Sequence, residues 1–126
     1  MTRSPKETVR AWVDAFNTGD ADAVAAFYHP DATNHQIAYG PIEGRAAIRD
    51  MFATEFANTQ MVCVIENLFQ DGDWAMLEWT DPLGLRGCGF FRVENGLIAF
   101  QRGYFDKLSY YRVQGLPLED ALREGV

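Results

Sequence analysis

The sequence predicts an α+β cone: three helices packed on the concave face of a curved, mostly antiparallel sheet. Three observations predict it. In the first half of the chain, apolar residues recur at helical spacing. In the second half they alternate at period two. The turn signals between those alternating runs are so short that successive strands must be antiparallel neighbours. A sheet this long curls, and the helices cover its hollow side. The length of 126 residues suits one domain over 1–126 with a real core.

The opening "SPKETVRAWVDAFNTGD" reads as a helix with both ends marked. Ser4 can cap it, Pro5 suits its first turn, and Glu7 completes a capping box. Val9, Trp12, Val13 and Phe16 share one face, and Gly19 ends the helix. Asp20 then caps a short second helix with Val24, Phe27 and Tyr28 on its apolar side. After "HPDA", with His29 as a loop residue, the first strand is expected over about 32–38. "GPIEG" reads as a loop, and "GRAAIRDMFATEFAN" as the third helix, with Ile48, Met51, Phe52 and Phe56 inward. The strands "MVCVIENLF", "WAMLEWT" and "RGCGFFRV" follow, divided by "QDGD" and "DPLG" turns. Glu94-Asn95-Gly96 is a hairpin signal. "LIAFQRGYFDKLSYYRV" reads as a last long strand bent near Gly103, and "LPLEDALREGV" as one added helical turn.

Composition narrows the function classes. Apolar residues make up 48% and aromatics 13%, so the chain folds rather than staying disordered. The net charge of -7 argues against nucleic acid and anionic membranes as partners, which both need clustered Lys and Arg. Cys63 and Cys88 lie in apolar runs without metal-ligand spacing and read as reduced core thiols. The polar opening "MTRSPKE" is unlike a signal peptide, and no apolar run reaches the ~18 residues of a membrane span, so a cytoplasmic protein is expected. No nucleophile elbow, phosphate loop or metal cluster stands out, so no cofactor is expected.

Nearly the whole chain resembles the nuclear transport factor 2-like (NTF2-like) superfamily, and within it the SnoaL-like polyketide cyclase group. "AWVDAFNTGDADAVAAFYHPDAT" is similar to that group's opening helix pair and first strand. "GPIEGRAAIRDMF" is similar to its loop and third helix, and "GCGFFRVENGLIAFQRGYFD" to its last hairpin. The resemblance implies a cystatin-like roll with a deep pocket between sheet and helices, and a homodimer. The same fold hosts isomerases, epoxide hydrolases, dehydratases, cyclases and plain binding modules. Two resemblances give direction to the strands. In the similar ketosteroid isomerases the phenol donor falls here at Trp12, the general base at Gln36 and the protonated aspartic acid at Gly89. An indole, an amide and a glycine cannot run that chemistry. In the similar limonene epoxide hydrolases the arginine falls at Trp79, the carboxylates at Asp81 and Gly103, and the water-holding pair at Asn34 and Gln36. The arginine and one carboxylate are missing. Both place Asn34, Gln36, Trp79, Asp81, Gly89, Phe91 and Phe105 on the concave face.

Strand parity separates the rest. Asn34 and Gln36 share one face and His35 takes the other, unless a bulge after Asp31 turns it inward. In the last strand Ala99, Gln101, Gly103 and Phe105 oppose Phe100, Arg102, Tyr104 and Asp106. A bulge at Gly103 would bring Asp106 into the pocket. Asp81 is the candidate proton carrier, with His35 the other catalytic candidate; Asp81 before Pro-Leu-Gly equally suits a turn whose amides its carboxylate accepts. Asn34 and Gln36 would hold a ligand carbonyl or water, or bond one another. Trp12, Phe16, Trp79, Phe91 and Phe105 would give an apolar ligand its wall. The convex face, with His35, Glu78, Arg92, Arg102 and Tyr104, suits a homodimer interface or a solvated surface. The expectation is a cofactor-free pocket for a small apolar carbonyl, polyketide-like or epoxide-like compound, worked on by acid–base isomerisation, cyclisation, dehydration or hydrolysis. The alternative is a binding or dimerisation module without catalysis.

Overall fold

A computed structural model describes residues 2–123. The elements run α1 (Pro5–Thr18), α2 (Ala21–Ala25), β1 (Tyr28–Gln36), β2 (Gly40–Glu43), α3 (Arg45–Asn58), β3 (Val64–Asp71), β4 (Trp74–Thr80), β5 (Arg86–Glu94), β6 (Leu97–Phe105), α4 (Lys107–Gln114) and α5 (Leu118–Arg123). This is the expected α+β roll. One six-stranded sheet has the order β2-β1-β6-β5-β4-β3. Every neighbouring pair is antiparallel except β1 with β6, which is parallel. That pairing carries the first strand across the sheet to lie beside the last.

The opening helix forms as its sequence dictates. Ser4 accepts from the Glu7 amide, the Glu7 carboxylate accepts from the Ser4 amide, and Gly19 closes the helix at φ 72°. Its buried stripe of Val9, Trp12, Val13 and Phe16 meets the sheet. The main core gathers these residues with Val24, Tyr28, Ile48, Phe52, Leu77 and Phe91. A second, smaller core of Leu85, Tyr110, Tyr111 and Ala121 closes the far end. Met61 and Trp79 pack against both.

Several boundaries differ from the expectation. The first strand begins at Tyr28, because the stretch through His29 and Pro30 still pairs irregularly beside β6. "GPIEG" holds a strand: Pro41 and Ile42 pair with His35 and Asn34. Met61 to Cys63 is irregular chain, tied by the Asn17 side-chain amide, which donates to the Cys63 carbonyl at 2.9 Å and accepts from its N–H at 2.8 Å. The last strand is not long. It ends at Phe105, where Asp106 turns its carboxylate onto the Ser109 amide and caps α4. Asp106 therefore starts a helix rather than entering a pocket, and Gly89 and Gly103 stay in register. The bulge lies instead at Ala99: Arg92 pairs with Phe100 and Val93 with Ile98, so the buried inward residue is Ile98. The expected turn of helix in the tail is α5; residues 124–126 of the chain lie outside the described ones.

Candidate functional site

Between the main core and the C-terminal helices lies a cavity of about 710 Å³, roomy enough for a small organic molecule. Strand parity builds one wall. Leu77 and Trp79 of β4, Phe91 of β5, and Gln101 and Phe105 of β6 all face it. Glycines give room to Trp79 and to Gln36 of β1. A Cβ on Gly87 would lie 2.4 Å from the Trp79 ring, and one on Gly103 would lie 2.2 Å from Gln36 Oε1. The indole and the amide therefore occupy ground that any other residue would fill. Trp12 and Phe16 of α1 complete the aromatic wall, with Trp12 edge-on to Phe91 at 5.1 Å between ring centroids.

A buried relay sets one polar group on this wall. Trp12 Nε1 donates to Tyr28 Oη at 3.0 Å, and Tyr28 in turn donates to Gln101 Oε1. The order is forced. Indole nitrogen only donates, so the tyrosine proton must go to the carbonyl end of Gln101. The NH₂ end of Gln101, a cavity-lining residue, then has no acceptor among the described residues. Burial raises the pKa of the Tyr28 hydroxyl, and the charge of Glu55 adds to the shift, so the relay stays protonated.

Glu55 is the charged group that matters most. The cavity face of α3 carries Met51, Glu55 and Asn58, at i, i+4 and i+7. Nothing among the described residues donates a hydrogen bond to the Glu55 carboxylate. Desolvation pushes its pKa up to about 7. Burial also raises Tyr110, whose ring stands 5.4 Å from Phe105, and pushes the Cys63 thiol up to about 12. Cys63 therefore stays a thiol at neutral pH.

The residues singled out from sequence separate clearly. Trp12, Phe16, Gln36, Trp79, Phe91 and Phe105 all line the cavity. Asn34 is 1% exposed, behind the lining, and accepts from Gln36 Nε2 at 2.9 Å. Its own Nδ2 has no partner among the described residues. Asp81 is 4% exposed but does not line the cavity. Its Oδ1 accepts from the Leu83 amide and its Oδ2 from the Val62 amide, each at 2.7 Å. His35 is on the opposite face, paired with Arg102 and Pro41, and no bulge turns it inward. Sequence reasoning missed Glu55, and it missed Tyr28 as the hinge of the relay. Glu55 was findable: it follows Ile48, Met51 and Phe52 by seven, four and three positions, so it is an acid on an apolar stripe.

A family model described as a SnoaL-like domain matches residues 9–101. The helices α4 and α5, which close the cavity, follow that match. No curated protein matches the chain. Among solved structures, a hypothetical protein from Catenulispora acidiphila with a ketosteroid isomerase-like fold, in complex with trimethylamine, superposes with a TM-score of 0.82 at 22% identity, covering 93% of this chain and 98% of that one. An LEH-like epoxide hydrolase from M. tuberculosis gives 0.74 at 24% identity over 87% and 88%. A putative polyketide cyclase from Pseudomonas putida gives 0.76 at 21% identity over 89% and 98%.

Proposed function

The chain belongs to the SnoaL-like domain family of the NTF2-like superfamily, and we propose that it binds a small, largely apolar molecule in this cavity and moves protons on it without a cofactor. The reaction class is isomerisation, cyclisation, dehydration or hydration. One observation carries the reading: a carboxyl group on an aromatic wall, without a hydrogen-bond donor among the described residues, with a pKa of about 7. Such a group takes up and returns protons near neutral pH. Glu55 would remove a proton from the substrate. The free N–H of Gln101, oriented through Tyr28, would donate to the oxygen on which charge gathers. Protonated Glu55 would then return the proton at a second position. Neither Asp81 nor His35 serves this reading, since Asp81 spends both oxygens on amides and His35 faces away. Relatives described as a polyketide cyclase and an epoxide hydrolase are in keeping with it.

Exchange of the activated C–H protons of 2-tetralone in D₂O, followed by NMR, tests the proposal. The wild-type protein should accelerate exchange, and Glu55→Gln should slow it by about 10²-fold or more while tetralone binding persists. Equal rates in the two proteins would overturn the assignment.

A binding module without catalysis is the second reading. An amide N–H is a weak acid beside a phenol or a carboxylic acid, and that favours it. It predicts binding by wild type with no exchange above the uncatalysed rate. For the convex face we propose a homodimer contact. There Phe90 meets Tyr104, Trp74 meets Phe100, and the Arg102 guanidinium stands over Phe90 and Phe100. Sedimentation of Tyr104→Glu against wild type checks it, with a shift to monomer expected.

A further inference from the structure

The charge inventory of the cavity points further than its shape. Among the described residues its wall holds two carboxylates, Glu55 and Asp120, and not one lysine, arginine or histidine. Asp120 is paired with Arg123; Glu55 has no ion pair among the described residues. The other titratable groups facing it are the tyrosines Tyr39, Tyr110 and Tyr111 and the cysteine Cys63; Cys88 and Tyr104 border it from the opposite strand parity, with the Tyr104 ring against Phe90. These can lose a proton but never carry positive charge. Lys107 stands over the Tyr39 ring at 4.9 Å from its centroid, yet does not line the cavity. Besides Tyr104, nine aromatic residues among the described ones do: Trp12, Phe16, Phe52, Trp79, Phe91, Phe105, Tyr39, Tyr110 and Tyr111.

A half-buried, largely desolvated carboxylate without a counter-ion is costly, and the usual remedies are a paired cation or a bound proton. The faces of aromatic rings are themselves weakly negative and attract cations, more strongly once water is excluded. We propose that the molecule this cavity takes carries a basic nitrogen: a small apolar amine, held as its ammonium between the Glu55 carboxylate and the surrounding ring faces. This names the ligand of the site proposed above and rests on Glu55 meeting that ligand, not on turnover. The proton bookkeeping closes. An amine entering uncharged takes the proton from neutral Glu55; an ammonium pairs directly with the Glu55 carboxylate, and where Glu55 starts protonated it is the Glu55 proton that leaves to solvent. The same exchange run backwards returns the ammonium proton to Glu55 and frees a nitrogen lone pair. A carboxylate-bearing ligand finds no cation on the wall and two like charges.

Calorimetric titration of the wild-type protein with three isosteric probes tests this: cyclohexylammonium, cyclohexanol and cyclohexanecarboxylate. The cation should bind at least about ten-fold tighter than the alcohol, and the anion weakest. Between pH 5 and pH 8 the affinity for the cation should rise and then level off, because Glu55 ionises through that window. Glu55→Gln should bring cation and alcohol to within about two-fold and remove the pH dependence. If the alcohol or the anion binds as tightly as the cation to wild type, the inference is wrong, whether or not the variant folds. Cation binding without 2-tetralone exchange would leave the amine site standing and sink the catalytic reading. Exchange without cation preference would do the reverse.

Discussion

Asp81 and Glu55 are both carboxylates at the edge of the same cone, and their surroundings are opposite. At the β4–β5 turn every polar group of Asp81 is answered. Asp81 accepts two amides through its side chain, its own N–H donates to the Leu85 carbonyl, and its carbonyl accepts from Gly84. On α3, Glu55 lies among Met51, Phe52 and Asn58 with no hydrogen bond offered to its charge among the described residues. Hydrogen bonds from amides stabilise an anion and fix it in place; desolvation without them destabilises it and leaves it ready to change its protonation. Burial alone does not mark a reactive acid. What separates the two is whether the backbone has already taken the charge.

Asp81→Ala is the severest test of the saturated side. It strips two charge-assisted bonds and leaves the Val62 and Leu83 amides without their acceptor, so urea unfolding should show a loss of about 4 kcal/mol. Protein that remains folded should still exchange 2-tetralone. Loss of exchange in that folded protein would break the comparison. On the unsatisfied side the expected effect is a pH slope. The unfolded Glu55 releases its proton near 4.5 and the folded one near 7. Between those values the folded protein holds a proton that the unfolded chain has lost, so stability falls as pH rises and levels off above 7. The loss should be roughly 3 kcal/mol by denaturant titration, and Glu55→Gln should remove it. Asp22, held low by the Arg49 hydrogen bond and charge, works in the opposite sense at more acid pH, which is why the variant is the proper reference. The smallest effect belongs to the Gln36–Asn34 pair. Gln36→Leu would deprive buried Asn34 of the donor to its Oδ1, at a cost of about 1–2 kcal/mol. A neutral result there would mean that water already serves Asn34.

Much of this was legible in the chain. The caps of α1, the period-two runs and the "DPLG" and "ENG" turns located most elements, because each depends on a few adjacent residues. Parity set Asn34 and Gln36 on the face opposite His35, and the two family resemblances gave that face, with Trp79, Phe91 and Phe105, its concave direction. Asp81 misled because the same Asp-Pro-Leu-Gly stretch suits a turn clamp and a pocket acid. The tie was broken by the Val62 amide, which is 19 positions away. "DKLSYYRV" read as strand from its aromatics, yet Asp106 caps it into α4, where Tyr110 and Tyr111 bury against Leu85. Local propensity lost there to tertiary burial.

By itself the sequence determined the helix caps, the strand faces and the absence of strong phosphate-loop or metal-ligand patterns, all matters of short-range periodicity and residue chemistry. Only the tertiary structure decided which carboxylate is bonded out of use and which is stranded among rings. It also decided that β1 runs parallel to β6 and that two late helices close the cavity. Desolvation is a sum over neighbours brought from distant parts of the chain, and no local pattern contains that sum.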